Sequence, residues 1–426
     1  MNELPRKEIW MNNLSSPSRR PLEGIRVLDL TVALAGPYGS MLLAGLGAEV
    51  IRVESPSGGD PARTNPPYIG ADGLHFGAPE EGDVSLTILN RARNKRSVTL
   101  DLKSAEGRDL LLELAKVSDV IVENMSEGAT GRLGVSYADV APINPRIIYA
   151  SIKAFGEPSS HPGTKGMDII VQALSGTMDV TGFAEGPPTR FGLPIADLVA
   201  PLYACNGILA ALIQRGQTGV GQHIEVSMLD CLASLVAEEH FDVFSAAGYP
   251  IRSGNFQDRL APFGVYETID GHVAIVAFSP AWLRGVCEII EREDILTDPR
   301  FATRGPRMKH AAELNALIEA WTRSRTTEDV VSALVARDVP CGPVRTALQV
   351  LADEKLRERG AIVELEHPRY GKVGGTGMGI PIRFSAAEVT LDRPAEELGA
   401  SNEDILGGIL GLGPDEIAGL RARGTI

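Results

Sequence analysis

The chain has 426 residues, enough for one large domain or two ordinary ones, and its 44% apolar and 23% charged content is that of a globular protein with ample core. A formal net charge of −14 argues against nucleic acid or an anionic membrane surface as a partner, so an anionic ligand needs a local basic island. Four cysteines without CxxC spacing (Cys205, Cys231, Cys287, Cys341) fit reduced thiols in a cytoplasmic protein, and seven histidines without HxH, HxxxH or HExxH patterns predict no metal site.

The first 20 residues lack the apolar stretch of a signal peptide and are expected to form a mobile arm. "IRVLDLT" (25–31) alternates in branched residues and predicts a strand; "GPYGSMLLAGLGA" (36–48) predicts a helix, and "EVIRVES" (49–55) a second strand. After a Gly- and Pro-rich loop, "RSVTLDL" (96–102) is extended and "SAEGRDLLLELAKV" (104–117) helical. "DVIVEN" (119–124) and "RIIYASI" (146–152) are further strands. This alternation predicts a parallel, wound α/β sheet. An apolar helix follows Asp197 to about Arg215, then a short strand and a second long helix within 218–244. From about residue 250 the pattern changes to a hairpin at 263–278 around Asp270-Gly271 and helices at 280–291 and 310–335, a smaller α+β domain. "DVPCGPVRT" (338–346) reads as a linker returning to the large domain. The expected organisation is therefore an arm (1–20), a large domain (21–225), a linker helix (226–249), a small domain (250–337) and a returning C-terminal part (338–426). No run reaches the ~18 uninterrupted apolar residues that mark a membrane span.

Two acids open apolar helices. Asp197 stands at the mouth of "DLVAPLYACNGILAALIQR", and Asp168, in "KGMDIIVQALSG", lies 29 positions earlier. Either can be a helix cap. Ser or Thr would cap equally well without bringing a full charge to an apolar wall. A carboxylate beside free helix N–H groups suits an acyl-transfer nucleophile, and two such acids can converge on one pocket. "LNRARNKRSVTLDLK" (89–103) gathers Arg91, Arg93, Lys95, Arg96 and Lys103, which is either solvated hairpin charge or a phosphate anchor. Asn124 and Arg132 flank the turn after a strand C-terminus, where ligands of wound sheets sit. Glu54 ends the second strand where a ribose-binding acid would stand. The first turn nevertheless lacks G-x-G-x-x-G and has a proline after Gly36, which argues against a nicotinamide cofactor. "NFQDRLAPFG" (255–264) is an active-site loop or a surface connection.

Taken in order, "PLEGIRVLDLT", "AGPYGSMLLAGLGAEVIRVE", "NKRSVTLDLK", "DVIVEN", "NPRIIYASIKAFG", "LPIADLVA", "TGVGQHIEVSMLD" and "DVPCGPVRT" resemble the family III CoA-transferases, from about Pro21 to the C-terminus. The resemblance implies a Rossmann-like wound large domain, a smaller α+β domain and an interlocked-ring homodimer. It implies Asp197 as the catalytic aspartate and Asp168 as a second active-site acid. It also implies coenzyme A contacts at Ala33, Leu34, Ala35, Leu100, Lys103, Asn124, Met125, Arg132 and Lys165. Acyl-CoA and a small carboxylic acid are the implied substrates, with no tightly bound cofactor and no nucleic-acid or membrane partner. Three positions depart from the family pattern: Leu34 replaces a Gln, Ala196 replaces the usual Gly, and 255–264 lacks a recognisable glycine-rich loop. The related α-methylacyl-CoA racemases place a His directly before the second acid. Here that residue is Met167, whose thioether cannot relay a proton.

Overall fold

A computed structural model describes residues 20–426; apart from Arg20, the expected N-terminal arm lies outside the described residues. The chain is a mixed α/β protein whose main sheet is parallel. Its strands are β1 (Arg26–Asp29), β2 (Glu49–Glu54), β3 (Lys95–Thr99), β4 (Val120–Glu123), β5 (Ile148–Lys153) and β6 (Gln222–Ser227), in the order 3-2-1-4-5-6. All five neighbouring pairs are parallel. Successive side chains along a strand point to opposite faces, and the apolar residues of the central strands go to both, because both faces of the sheet are covered. In β1, Val27 enters one core and Leu28 the other; in β4, Val120 and Val122 face the first core and Ile121 the second.

The first core is closed by α1 (Ala35–Gly45) and by the 24-residue α4 (Ile195–Thr218). Between them in the chain lie α2 (Ala105–Lys116), which closes the second core, and the short α3 (Asp168–Leu174). Helix α4 is long and apolar enough, by length and composition, to cross a membrane. Its small residues Ala196, Ala200, Ala204 and Ala211, with Ile208, are spaced to face inward and all are buried in the first core. Gly39 of α1 gives Pro201 room: a Cβ on Gly39 would stand 3.2 Å from the Pro201 Cβ. Two further antiparallel strands, Ile362–His367 and Gly371–Met378, and a terminal helix, Pro414–Ala422, complete this unit; Ile417 and Leu420 of that helix fill the second core.

The compact units divide the chain more finely than the composition shift at residue 250. The large one comprises the described residues up to 175, 192–235 and 353–426; the small one takes 176–191 and 236–352. The small unit extends past 337 because Cys341–Pro343 is a strand. It pairs with His272–Val276 as the third member of a sheet whose first hairpin, Phe263–Glu267 with His272–Val276, is the one expected at Asp270-Gly271. The expected helix over 310–335 is two, Ala311–Thr322 and Thr327–Val335, the second capped by the Thr326 side chain accepting from the Asp329 N–H. The expected linker helix starts two residues late, at Met228, because the β6 strand runs to Ser227, and it ends at Glu238 just before His240, whose φ is +53°.

Candidate active site

The strand order reverses between β1 and β4, and the chain leaves both strands there in opposite directions, which opens a crevice at their C-terminal ends. A cavity of ≈ 670 Å³ occupies it, entirely within the large unit. Its walls are the loop after β1 (32–35), the loop after β4 (124–127), the end of β5 and the segment after it (152–156), residues 163–168, Asp197 and Met228. A second cleft of ≈ 680 Å³ lies at the other ends of the strands. There the charges answer one another: Arg26 and Arg96 both pair with Glu49, and Arg96 also with Asp404.

Asp168 and Asp197 both line the crevice, as their shared pattern of acid followed by apolar helix anticipates. Their local roles differ from simple capping. Helix α4 begins at Ile195, so Asp197 stands in its first turn, two residues inside. The N-cap is Pro194, which makes no side-chain cap. Pro201, four residues on, has no N–H to offer the Asp197 carbonyl, so the helix is loosened where the acid sits. Asp168 caps another element: its Oδ1 accepts at 2.9 Å the N–H of Ala196, the residue directly before Asp197. Burial and the neighbouring Asp168 charge push the Asp197 carboxyl up to about 6, against a smaller downward pull from Arg91. A carboxylate in this range is ionised at neutral pH and more basic than an ordinary aspartate, hence a better nucleophile.

The loop after β1 is held from both sides. Ala33 adopts a left-handed backbone with φ +65°, a conformation that costs a non-glycine residue roughly 1–2 kcal/mol. Its N–H donates to both oxygens of Asp60 at 3.1 Å, and its carbonyl accepts from Arg91 Nη1 at 3.0 Å. Asp60 is itself buried against the Arg52 guanidinium. Asn124 spends its side-chain amide on the same loop: Oδ1 accepts the Val32 N–H and Nδ2 donates to the Val32 carbonyl, both at 2.9 Å. On the floor, Lys153 pairs with buried Glu123 at 2.9 Å and donates to the Met125 carbonyl at 3.0 Å.

Of the residues expected to touch coenzyme A, Ala33, Leu34, Ala35, Asn124, Met125 and Lys165 line the cavity. Lys103 and Arg132 are exposed cations outside its lining. Leu100 is a correction in kind: its side chain is 1% exposed in the second core, so it packs and offers no side-chain contact. The basic stretch 89–103 is neither a solvated hairpin nor a common phosphate anchor. Leu86–Arg91 is helical, and Lys95 is buried with its Nζ on Asp29 at 2.9 Å and on Ser40 Oγ and the Pro37 carbonyl at 2.8 Å. Arg93 is buried on Asn90 and the Met378 carbonyl. Only Arg91 turns toward the crevice loop. Glu54 is no ribose ligand: Arg63 and Ser97 occupy its carboxylate. Ala196 fits its departure from Gly, with its methyl fully buried in the first core. Sequence reasoning missed Lys153, Asp60, Gln172 and Pro201. For Lys153 there was a signal, a lysine closing an otherwise apolar strand. Segment 255–264 belongs to the small unit and holds a 3₁₀ turn and a strand start. Among the described residues no group of three His, Cys, Asp or Glu side chains could hold a metal ion.

Comparison with known proteins places the chain in a family. The family model described as CoA-transferase family III matches residues 22–402. The succinate–glutarate CoA-transferase of Agrobacterium fabrum is 34% identical over 393 residues, covering 92% of this chain and 96% of that protein. The formyl-CoA:oxalate CoA-transferase of Streptomyces coelicolor is 35% identical over 424 residues, covering 96% and 99%. The crystal structure of a CAIB/BAIF family protein from Brucella suis matches with a TM-score of 0.78 at 33% identity, over 92% of this chain and 100% of that one. With a match that runs nearly end to end, the chain belongs to family III of the CoA-transferases and is an enzyme of that class.

Proposed function

We propose that this enzyme moves coenzyme A from an acyl-CoA donor to a free carboxylic acid through covalent intermediates on Asp197. A carboxylate oxygen of Asp197 attacks the donor thioester carbonyl; the C–S bond breaks, leaving a mixed anhydride and CoA thiolate. The thiolate attacks the aspartyl carbonyl carbon, the anhydride C–O bond breaks, and the donor acid departs from an aspartyl-CoA thioester. The acceptor carboxylate attacks that thioester, releasing the thiolate and forming a second anhydride. The thiolate then attacks the acceptor acyl carbon and Asp197 leaves as carboxylate. Each step exchanges one anion for another, so the cycle consumes no proton. Anhydrides must be kept from water, and the apolar wall of helix α4 behind Asp197 serves that need.

The observation that carries this reading is the pairing of position and basicity. Asp197 lies in the first turn of a helix, in a crevice at the switch point of a parallel sheet, with its carboxyl raised to about 6. The strand order 3-2-1-4-5-6 supports the Rossmann-like description of the large domain. Ala33, Leu34, Ala35, Asn124, Met125 and Lys165 form the inner part of the coenzyme A path, and Lys103 and Arg132 are outer anchors for its phosphates. Coenzyme A enters as substrate and not as a resident cofactor. The relatives' names make a dicarboxylate such as succinate the first donor acid to test, with glutarate and oxalate as acceptors. The isomerase alternative requires a proton relay where Met167 stands, and a thioether supplies none.

A homodimer is part of the same proposal. Ile169, Ile170, Leu174, Leu202, Tyr203 and Ile213 leave apolar side chains uncovered on the large unit, which a second copy would bury. Four free cysteines fit a cytoplasmic location. The test is to incubate the enzyme with succinyl-CoA and trap with hydroxylamine or borohydride. Modification of Asp197 found by peptide mass spectrometry is the expected result. Deuterium uptake at the substrate Cα without any Asp197 adduct would replace transfer by isomerisation.

A further inference from the structure

Gln172 is wholly buried, one turn after Asp168 on the same short helix, α3. Its Nε2 donates to Asp168 Oδ2 at 2.7 Å and approaches the Leu193 carbonyl at 3.4 Å. Asp168 Oδ1 in turn accepts the Ala196 N–H at 2.9 Å. Both carboxylate oxygens therefore hold a donor, and the two donors belong to different segments. Leu193 and Ala196 bracket the entry into the helix that carries Asp197. First-turn N–H groups have no partner inside their own helix, and Pro194 supplies no side-chain cap, so the Ala196 N–H depends on Asp168.

We propose that Gln172 is a positioning residue for the transfer reaction: it fixes the Asp168 carboxylate, and Asp168, as a hydrogen-bond acceptor and not as a proton carrier, fixes the turn that carries Asp197. This rests on Asp197 being the nucleophile. Two arguments support it. The transfer cycle exchanges anions only, so it has no proton for Asp168 to carry. Each Asp168 oxygen also accepts one fixed N–H, from Gln172 on its own helix and from Ala196 on the next, which orients the carboxylate as a clamp between the two. A nucleophile displaced by about 1 Å can lose on the order of 100-fold in rate, which is the scale of effect such a clamp protects against.

The test compares Asp168→Asn, Asp168→Ala and Gln172→Met with the wild type. It measures kcat, the KM for succinyl-CoA, the pH profile of kcat, and trapping of the Asp197 adduct. Asn keeps an oxygen for the Ala196 N–H, and Gln172 can turn its amide over to pair with the new NH₂. Asp168→Asn is therefore expected to lose less than about tenfold in kcat, with the acid limb of its pH profile moved lower as the charge beside Asp197 disappears. Asp168→Ala and Gln172→Met are expected to lose about 10–100-fold in kcat with the succinyl-CoA KM within about threefold. If Asp168→Asn is as crippled as Asp168→Ala at every pH, Asp168 carries a proton and the proposal is wrong. Wild-type kcat in a folded Gln172→Met protein overturns the role of Gln172. Should Gln172→Met not fold, the Asn/Ala pair still decides the role of Asp168. Absence of any Asp197 adduct in the wild type with succinyl-CoA or formyl-CoA refutes the nucleophile assignment itself, a failure distinguishable from the others.

Discussion

Two groups of carboxylates sit at the C-terminal side of the same sheet and are treated in opposite ways. Under the loop after β1, Asp29 is fully buried yet held below the usual carboxylate range. Burial alone would raise it, but Lys95, Arg52, Ser40 and Thr31 together outweigh burial. Glu54, likewise opposed by burial, is brought down to about 2 by Arg63, Arg52 and Ser97. In the crevice, Asp197 has the same opposing burial, and the charge that acts on it most strongly is another acid, Asp168, with Arg91 pulling less in the other direction. The buried network is compensated and holds the backbone; the crevice acid is left with only a weak opposing cation, Arg91, which suits the nucleophile proposed for it. Charge compensation, not burial, separates the acids held low, Asp29 and Glu54, from the one held high, Asp197.

Removing the uncompensated acid should have the largest effect. Asp197→Asn should lower thioester exchange by about 10⁴-fold or more, since every covalent step of the proposed cycle runs through that carboxylate. Steady-state turnover measured with freshly prepared protein checks this, with mass spectrometry confirming that no Asn has deamidated. Turnover at the wild-type rate would remove Asp197 from the mechanism.

The next largest effect falls on stability, and belongs to the compensated group. Lys95→Met strips Asp29 of the cation at 2.9 Å and leaves a buried, unpaired carboxylate. Breaking one partner of a buried pair typically destabilises by about 3–5 kcal/mol. Denaturant unfolding should show a loss of that order. A loss below about 1 kcal/mol would mean that Asp29 has taken up a proton and that the network is not an ionic one.

The pH dependence separates the two groups without any mutation. The proposed nucleophile must be ionised to attack, so kcat should fall as pH drops through about 6. Glu54 has a folded pKa below its ordinary 4.5, so its contribution to stability is present above 4.5 and is lost as pH falls toward about 2. Between pH 4.5 and 6 the enzyme should therefore stay folded by circular dichroism while losing activity progressively and reversibly. Simultaneous loss of structure and activity near pH 6 would contradict the contrast drawn above.

Much of this was legible in the sequence because its physics is local. The branched, alternating run 25–31 read as a strand, and the succession of strands and helices read as a parallel sheet, both of which the structure has. Asp168 and Asp197 each read as an acid opening an apolar helix, and both do reach one crevice. The partners were not legible. Five cations between 91 and 103 look alike in one dimension, yet Lys95 is drawn under the sheet by Asp29, Arg93 by the Met378 carbonyl nearly 300 residues away, and only Arg91 faces the loop. Asp168 read as a cap of its own helix, but its acceptor serves the Ala196 N–H of another, which only the tertiary arrangement decides. The small unit's third strand, Cys341–Pro343, was hidden because "CGP" carries no strand signal and is extended only by pairing with Ala274 and its neighbours.

The smallest expected effect is the most specific to an uncompensated acid. A carboxyl whose folded pKa lies above its unfolded value favours the protonated form in the native state. Its charge therefore weighs against folding, increasingly as pH rises from about 3.8 to about 6, and constantly above that. Asp197→Asn removes that charge. At pH 7.5 the inactive variant should be more stable than the wild type by about 1–2 kcal/mol, allowing for solvent screening of a partly exposed group. At pH 4, where the wild-type side chain is already protonated, the gain should vanish. Paired denaturant curves at the two pH values check this. Equal stability at both, or a loss at pH 7.5, would show that Asp197 is stabilised by a partner after all, and that it belongs with Asp29 and Glu54 among the acids that hold the fold.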